Sequence, residues 1–196
     1  MPLKVFSSDN KLIAEFGEMR RAPIKFADIP QDFINALLAA EDDNFANHHG
    51  VDFKSLIRAG SELIKSGHIQ TGGSTITMQV AKNFFLSSER SFSRKINEIL
   101  LALQIERELS KDEILELYVN KIYLGNRAYG IEAAAQVYYG KSISETTLAQ
   151  MAMIAGLPKA PSRFNPLANA PRSKERRDWI LGRMYKLGRI DQARFE

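Results

Sequence analysis

Cysteine is absent from all 196 residues, which excludes disulfides and thiolate metal sites and leaves the redox compartment open. Missing too is any apolar run near the roughly 20 residues that a membrane span needs, and no secretory leader is recognisable. Internal repeats and low-complexity segments are lacking. No His-Glu-x-x-His or similar ligand spacing occurs, and no glycine loop ends in the Gly-Lys-Ser/Thr of a Walker site. These absences speak against a dedicated metal cage and against a nucleotide ligand. What is there is 44% hydrophobic and 26% charged, the balance of one globular domain with a real core. The net charge of +4 suits nucleic acid, an anionic membrane surface or a phosphate-bearing ligand, and chooses none of them. The strand-like start MPLKVF also reads as a fragment whose anchor or signal lies elsewhere.

The first segment alternates and breaks at Ser8-Asp9-Asn10, which predicts a hairpin or extended arm within residues 1–29, ending near Gly17. After Pro30 the pattern turns helical and stays so through residue 196. Helices are expected at about 31–44, 53–66, 74–85, 90–109, 111–119, 128–139, 144–156 and 173–187. Ser110 to Glu113 is a capping box for the fifth. Turns are expected at Gly50, Gly67, Thr71-Gly72-Gly73, Gly125-Asn126, Gly140 and between Pro158 and Pro171. The fold class is mostly α with a small N-terminal β arm.

The stretch EDDNFANHHG, Glu41 to Gly50, concentrates acids and histidines. Ile34, Leu37 and Leu38 precede Glu41 at helical spacings, so Glu41 falls on the apolar stripe, and Phe45 continues it. A carboxylate there is either a cleft residue whose proton affinity is raised by burial, or a helix-end acid paired with His48 or a backbone amide. Asp42 and Asp43 read as backbone caps or solvent-facing acids. Glu98 stands at the polar entry of an otherwise apolar helix, with Arg94 and Lys95 one turn before it, and on spacing alone is an ordinary intrahelical ion pair. In TGGSTITMQVAKN a glycine turn feeds a helix start rich in hydroxyls. Thr75, Gln79 and Lys82 then share one face. Such a face can hold a phosphate, or simply be a turn before a surface helix.

Taken together these pieces resemble the glycosyltransferase domain of bifunctional class A penicillin-binding proteins, glycosyltransferase family 51. Glu41-Asp42, Phe45, His48 and Gly50 fit its first motif, and Gly72 to Gln79 the second. Arg94 to Glu98 fits the third, Lys111, Ile114, Tyr118 and Asn120 the fourth, and Gly130 to Ala134 the fifth. Gly156 to Pro166 closes the domain. Met78 stands where the family usually has glutamine, a change expected to bear on donor-side polar contacts. Ser8 to Lys11 imitates a Ser-x-x-Lys motif without a Lys-Thr-Gly partner and is read as chance.

The resemblance implies a lysozyme-like, two-lobed helical fold and polymerisation of lipid II into β-1,4 glycan strands, with inversion and release of lipid pyrophosphate. It makes Glu41 the general base and Glu98 a second essential acid. Lys82, Arg94 and Lys95 become the pyrophosphate's cations, with Ser74, Thr75 and Gln79 as further donors, and Asp42, Phe45 and His48 line the substrate site. No firm cofactor and no metal-ligand residues are implied, and a divalent cation, Mg²⁺ or Mn²⁺, could accompany the pyrophosphate. The partners implied are lipid II, the growing strand, a membrane surface and a transpeptidase domain outside this chain, at the periplasmic face of the bacterial inner membrane. Residues 53–69 mix apolar and basic positions as an interfacial segment does, and equally as an amphipathic helix packing on a core does. Arg172 to Arg189, with seven basic residues against two acidic, reads as a solvated face that could touch phospholipid. The rival readings are a muramidase or lytic transglycosylase using Glu41 as an acid, a nucleic-acid-binding module, and an idle docking fragment. No nucleic-acid partner is expected, because the two glutamates would have no purpose.

Overall fold

Pairing Leu3 with Phe16 and Phe6 with Leu12, β1 (Leu3–Phe6) and β2 (Leu12–Phe16) form the antiparallel hairpin that the alternating start predicts. The computed structural model describes residues 3–9, 12–16, 20–66, 72–85 and 92–196. The expected turns at Gly17, Gly67 and Thr71, the Asn10-Lys11 end of the Ser-x-x-Lys imitation, and the expected start of the fourth helix at residue 90 lie outside them. So does the end of the candidate interfacial segment.

A 3₁₀ turn at Phe26–Asp28 leads to Pro30, which opens α1 (Gln31–Glu41), whose buried face is Phe33, Ile34, Leu37 and Leu38. The helix stops at Glu41, short of the expected residue 44, because Asp42 leaves helical geometry, at φ −161 and ψ 78, and its carboxylate is taken by His48 and the Ile76 amide. Then come α2 (Phe53–Ser66), α3 (Ile76–Phe85), α4 (Phe92–Glu108) and α5 (Lys111–Lys121). The capping box at Ser110 forms as expected, with Glu113 reaching back to the Ser110 amide.

Beyond α5 two expectations need correction. Residues 128–139 are not one helix. Ala128–Tyr129 is β4, which pairs in parallel with β3 (Arg20–Arg21), and Gly130 at φ +89 makes the corner into α6 (Ile131–Tyr139). The expected helix at 144–156 splits because two consecutive capping boxes compete. Ser142 and Glu145 close a 3₁₀ turn, and Thr147 with Gln150 starts α7 (Leu148–Ala155) afresh. Asn169 caps α8 (Ala170–Lys186), and the short α9 (Gln192–Phe195), too brief to show periodicity, went unread in the sequence.

Two packing sets share one core. α1 lies against α7 and α8, and α3 against α4 and α5. Phe33, Leu37, Ile76, Ile114, Tyr118, Ile154 and Ile180 are all fully buried between them. The joint between arm and helices is clamped onto α5. Asn120 accepts the Ile24 N–H at 2.8 Å and donates to the Ile24 carbonyl at 2.8 Å, while Glu116 accepts the Phe26 N–H. The fold is thus mostly α with a small N-terminal β arm.

Gly50 lies within the segment between α1 and α2 at φ +86, and a Cβ there would lie 2.5 Å from the Ala102 carbonyl oxygen on α4. Gly50→Ala combines left-handed strain with overpacking, and is expected to lose about 2–4 kcal/mol of unfolding free energy. An unchanged urea midpoint would refute this.

Candidate active site

Glu41 is the last residue of α1, where the negative end of the helix dipole disfavours an anion. Its side chain is only 11% exposed. Burial raises its pKa above the ordinary glutamate value, and the Asp42 charge adds to that, while the Gln79 hydrogen bond and the charges of Arg176 and Lys159 pull the other way. The sequence expectation of a cleft carboxylate on the apolar stripe is met, and the alternative pairing with His48 is not.

The grip on Glu41 is directional. Gln79 on α3 donates from Nε2 to Glu41 Oε2 at 3.1 Å, and Tyr118 on α5 donates its hydroxyl to Gln79 Oε1 at 3.2 Å. Tyr118 is fully buried, and burial, reinforced by the Glu41 and Asp42 charges, keeps its phenol protonated far above the ordinary range. With the phenol donating, the amide must turn its own hydrogens towards the carboxylate. On the other side Arg176 Nη2 stands 3.8 Å from Glu41 Oε1 and 3.4 Å from the Ala40 carbonyl.

Asp42 has a separate task. Its carboxylate accepts from His48 Nε2 at 3.0 and 3.1 Å and from the Ile76 N–H at 3.0 Å, so it ties the residues after α1 to the positive start of α3. Phe45 is buried edge-on to His48, and the Lys111 ammonium lies 4.3 Å over its ring. Lys111 also donates to the His48 carbonyl and to Glu106, each at 2.7 Å, and Glu106 accepts from Thr77 at 2.6 Å. Of the three residues expected to line the substrate site, Asp42 reaches the cleft, whereas Phe45 and His48 are buried behind it and support the segment that follows α1. Asp43 pairs with Arg183 on α8.

Of the second motif, Ser74 and Gln79 face the cleft. Thr75 lines it too, but its hydroxyl donates to the Gly50 carbonyl at 2.6 Å and accepts from the Met78 N–H, as a cap does. Its one hydrogen is committed inside the fold. Met78 is fully buried with Val51 and Ala102, so this departure from the family changes packing and not the donor-side polar contacts expected of it. Ser74 donates to Glu98 Oε1 at 3.1 Å, and Lys95 donates to the same oxygen at 2.6 Å. Glu98 is 2% exposed, far more buried than the surface pair that spacing suggested. Lys82, in the last turn of α3, is exposed and does not line the cleft around Glu41. Arg94 lies one turn before Glu98 on α4 and does not line that cleft either.

The cleft has a volume of about 330 Å³, with Glu41 at one wall and Gly72, Gly73 and Ser74 at another. Asp52, Ser55 and Arg58 also line it, as do Lys159, Arg176, Trp179 and Arg183. Sequence reasoning missed all of these, and for Arg176 it erred outright. Arg176 was read within a solvated basic face, yet it is 8% exposed, with its guanidinium 4.4 Å from the Trp179 ring centre. The signal was available: Ser173, Arg176, Ile180 and Met184 are the buried residues of α8 and follow one another at helical spacings.

A family model described as Transglycosylase matches residues 9–185. The chain belongs to the transglycosylase family. Penicillin-binding protein 1A of Pseudomonas aeruginosa is 80% identical over the whole chain, which spans 24% of that relative, and its Escherichia coli counterpart is 54% identical over 196 residues. A crystal structure of penicillin-binding protein 1A from Haemophilus influenzae, 36% identical, superposes with a TM-score of 0.56 over 99% of this chain and 19% of that one. The transglycosylase chain thus spans about a quarter of the length of the curated relatives it matches.

A raised carboxyl pKa in the folded state has a thermodynamic sign. The native domain holds the Glu41 proton more tightly than the unfolded chain does, so its contribution to stability is full below the unfolded pKa and is lost as pH rises through the folded one. Glu41→Gln removes that loss. The substitution is expected to raise Tm at neutral pH, with the gain vanishing below about pH 4, where unfolded glutamate is itself protonated. Calorimetry across pH checks this, and a Glu41→Gln domain less stable than the parent at neutral pH would contradict it.

Proposed function

We propose that this domain is a peptidoglycan glycosyltransferase that polymerises lipid II into β-1,4-linked strands, inverting the donor anomeric carbon and releasing undecaprenyl pyrophosphate. The observation that carries the reading is a buried, cation-flanked Glu41 in a cleft that reaches the Glu98 cluster through Ser74. Glu41 takes the proton of the acceptor 4-hydroxyl as that oxygen attacks the donor carbon. A carboxylate of raised proton affinity suits this better than a solvated one. Inversion needs charge stabilisation on the leaving side. Lys95, held against Glu98 and Ser74, is the cation best fixed for it, with Arg94 and Lys82 as further candidates and Glu98 as the acid that orients them.

Among the described residues no three His, Cys, Asp or Glu side chains group so as to hold a metal ion. Glu98 Oε1 already faces an ammonium and a hydroxyl. A divalent cation is therefore proposed only as a companion of the pyrophosphate, bound through phosphate oxygens. Lipid II is embedded, which places the work at a bilayer, in this reading the periplasmic face of the inner membrane. Phe53 and Ile57 on α2, 63% and 73% exposed, and Phe85 at the end of α3, 62% exposed, support lipid contact. Among the described residues no helix is long and apolar enough to cross a membrane.

The test is labelled lipid II in detergent, with products resolved by length. The parent domain is expected to give long muramidase-sensitive strands, and Glu41→Gln at least about a hundredfold less turnover. A folded parent that makes no polymer would overturn the assignment, and one that shortens preformed glycan would transfer it to a lytic enzyme.

A further inference from the structure

Arg176 lies outside every motif that carries the family resemblance, yet it is the cation nearest Glu41. Its seat is built from several sides. Gly156, at the end of α7, leaves room for the side chain, since a Cβ there would come within 2.9 Å of Arg176 Cγ. Trp179 stacks on the guanidinium at 4.4 Å, Phe164 flanks it at 5.9 Å, and the Ala40 carbonyl accepts from Nη2. A guanidinium 8% exposed is costly to bury, and the ionised partner that offsets this is Glu41 Oε1 at 3.8 Å. The two Glu41 oxygens are therefore unlike. Oε2 is held by the Gln79 amide, whereas Oε1 faces a charge across a gap longer than a hydrogen bond.

Resting on the proposed glycosyltransferase reading, we propose that Arg176 is a positioning residue for the reaction: its guanidinium is the buried counter-charge that keeps Glu41 ionised and leaves Oε1 as the atom that receives the acceptor's proton. In the step itself the acceptor hydroxyl gives its proton to Oε1 as its oxygen bonds to the donor anomeric carbon. The bond from that carbon to the pyrophosphate oxygen breaks, and its electron pair leaves with the phosphate. The groups that face Glu41 are Asp42 on its own side, Tyr118 from α5, Lys159 from the segment after α7, and Arg176 from α8. Burial and the Arg176 charge lower the proton affinity of Lys159, which makes Arg176 the firmer cation of the two. Burial, and after it Asp42, favours the protonated acid; the Gln79 hydrogen bond acts against them first, and Arg176 is the larger of the two charges that do so.

The experiment is a carbon-13 titration of the Glu41 carboxyl in the whole domain, its signal assigned by its loss in Glu41→Gln. Arg176→Met and Gly156→Ala, which removes or displaces the guanidinium, are each expected to raise the Glu41 pKa, and Arg176→Lys to restore most of the parent value. In the lipid II assay the acid limb of kcat should move upward with it. The loss from Arg176→Met would then be at least about threefold greater near pH 6 than near pH 8. A titration that stays put or moves down in both variants overturns the proposal, as does a loss of kcat equal at every pH. If Arg176→Met does not fold by circular dichroism, Gly156→Ala and Arg176→Lys decide the matter by the same titration. A parent without polymerase activity defeats the glycosyltransferase reading and its proton acceptor, while the carboxyl titration separately decides whether Arg176 holds Glu41 ionised.

Discussion

An acid at the wrong end of a helix, taken out of water, is the constraint around which this fold is arranged. Glu41 closes α1, where the backbone carbonyls already repel an anion, and Asp42 follows directly. Two adjacent carboxylates in that position would ordinarily stay in solvent. They are kept in because separate parts of the chain divide the work. The start of α3 presents its free Ile76 amide to Asp42, so the negative end of one helix meets the positive end of another through a side chain. The interior of α3 gives Gln79 to Glu41, and α8 gives Arg176. Remove any one of these and a charge remains buried with less to face it, which is more damaging than never having had the pair.

The same logic explains why so many motif residues prove to be scaffold. Phe45, His48, Gly50 and Thr75 do not present free groups to the cleft. They lock the residues after α1 against α3 and α4, through a carbonyl, a ring edge and one close backbone approach. Lys111, the first residue of α5, pins that lock by three contacts at once: the His48 carbonyl, the Glu106 carboxylate and the Phe45 ring. A carboxylate is held to a fraction of an ångström by an irregular segment when most of that segment's polar groups are answered by their neighbours, and here the buried His48 Nδ1 is an exception.

Helix periodicity found most of the elements, because the buried stripes of α1, α3 and α5 repeat over several turns. It failed where tertiary partners override local pattern. Ala128–Tyr129 carries no strand signal of its own and becomes one only because Arg20–Arg21 lies beside it. The break at Thr147 was legible as a second capping box but was outweighed by the apolar run that follows it. At the site, Glu41 was visible because a lone acid interrupts an apolar stripe. Arg176 was the same kind of exception, a cation on the stripe of α8, hidden because its neighbours Lys174 and Arg177 made the segment look uniformly solvated. Glu98 was hidden differently, since spacing gives the ion pair with Lys95 but not the burial that changes its meaning.

The two acids divide along lines that the chemistry of an inverting transfer would require. Glu41 has its negative charge disfavoured by burial and only partly compensated, which is the condition of a base. Glu98 is buried with an ammonium 2.6 Å away and a hydroxyl donating to the same oxygen, which is the condition of a fixed anion that orders cations. Ser74 touches Glu98 and also lines the Glu41 cleft, so one short segment before α3 spans both environments. A displacement that accepts a proton on one face and releases a diphosphate on the other needs such an asymmetry. A lytic enzyme would have to protonate its leaving oxygen instead, so under the proposed reading the direction in which the Glu41 proton moves is what separates the two activities.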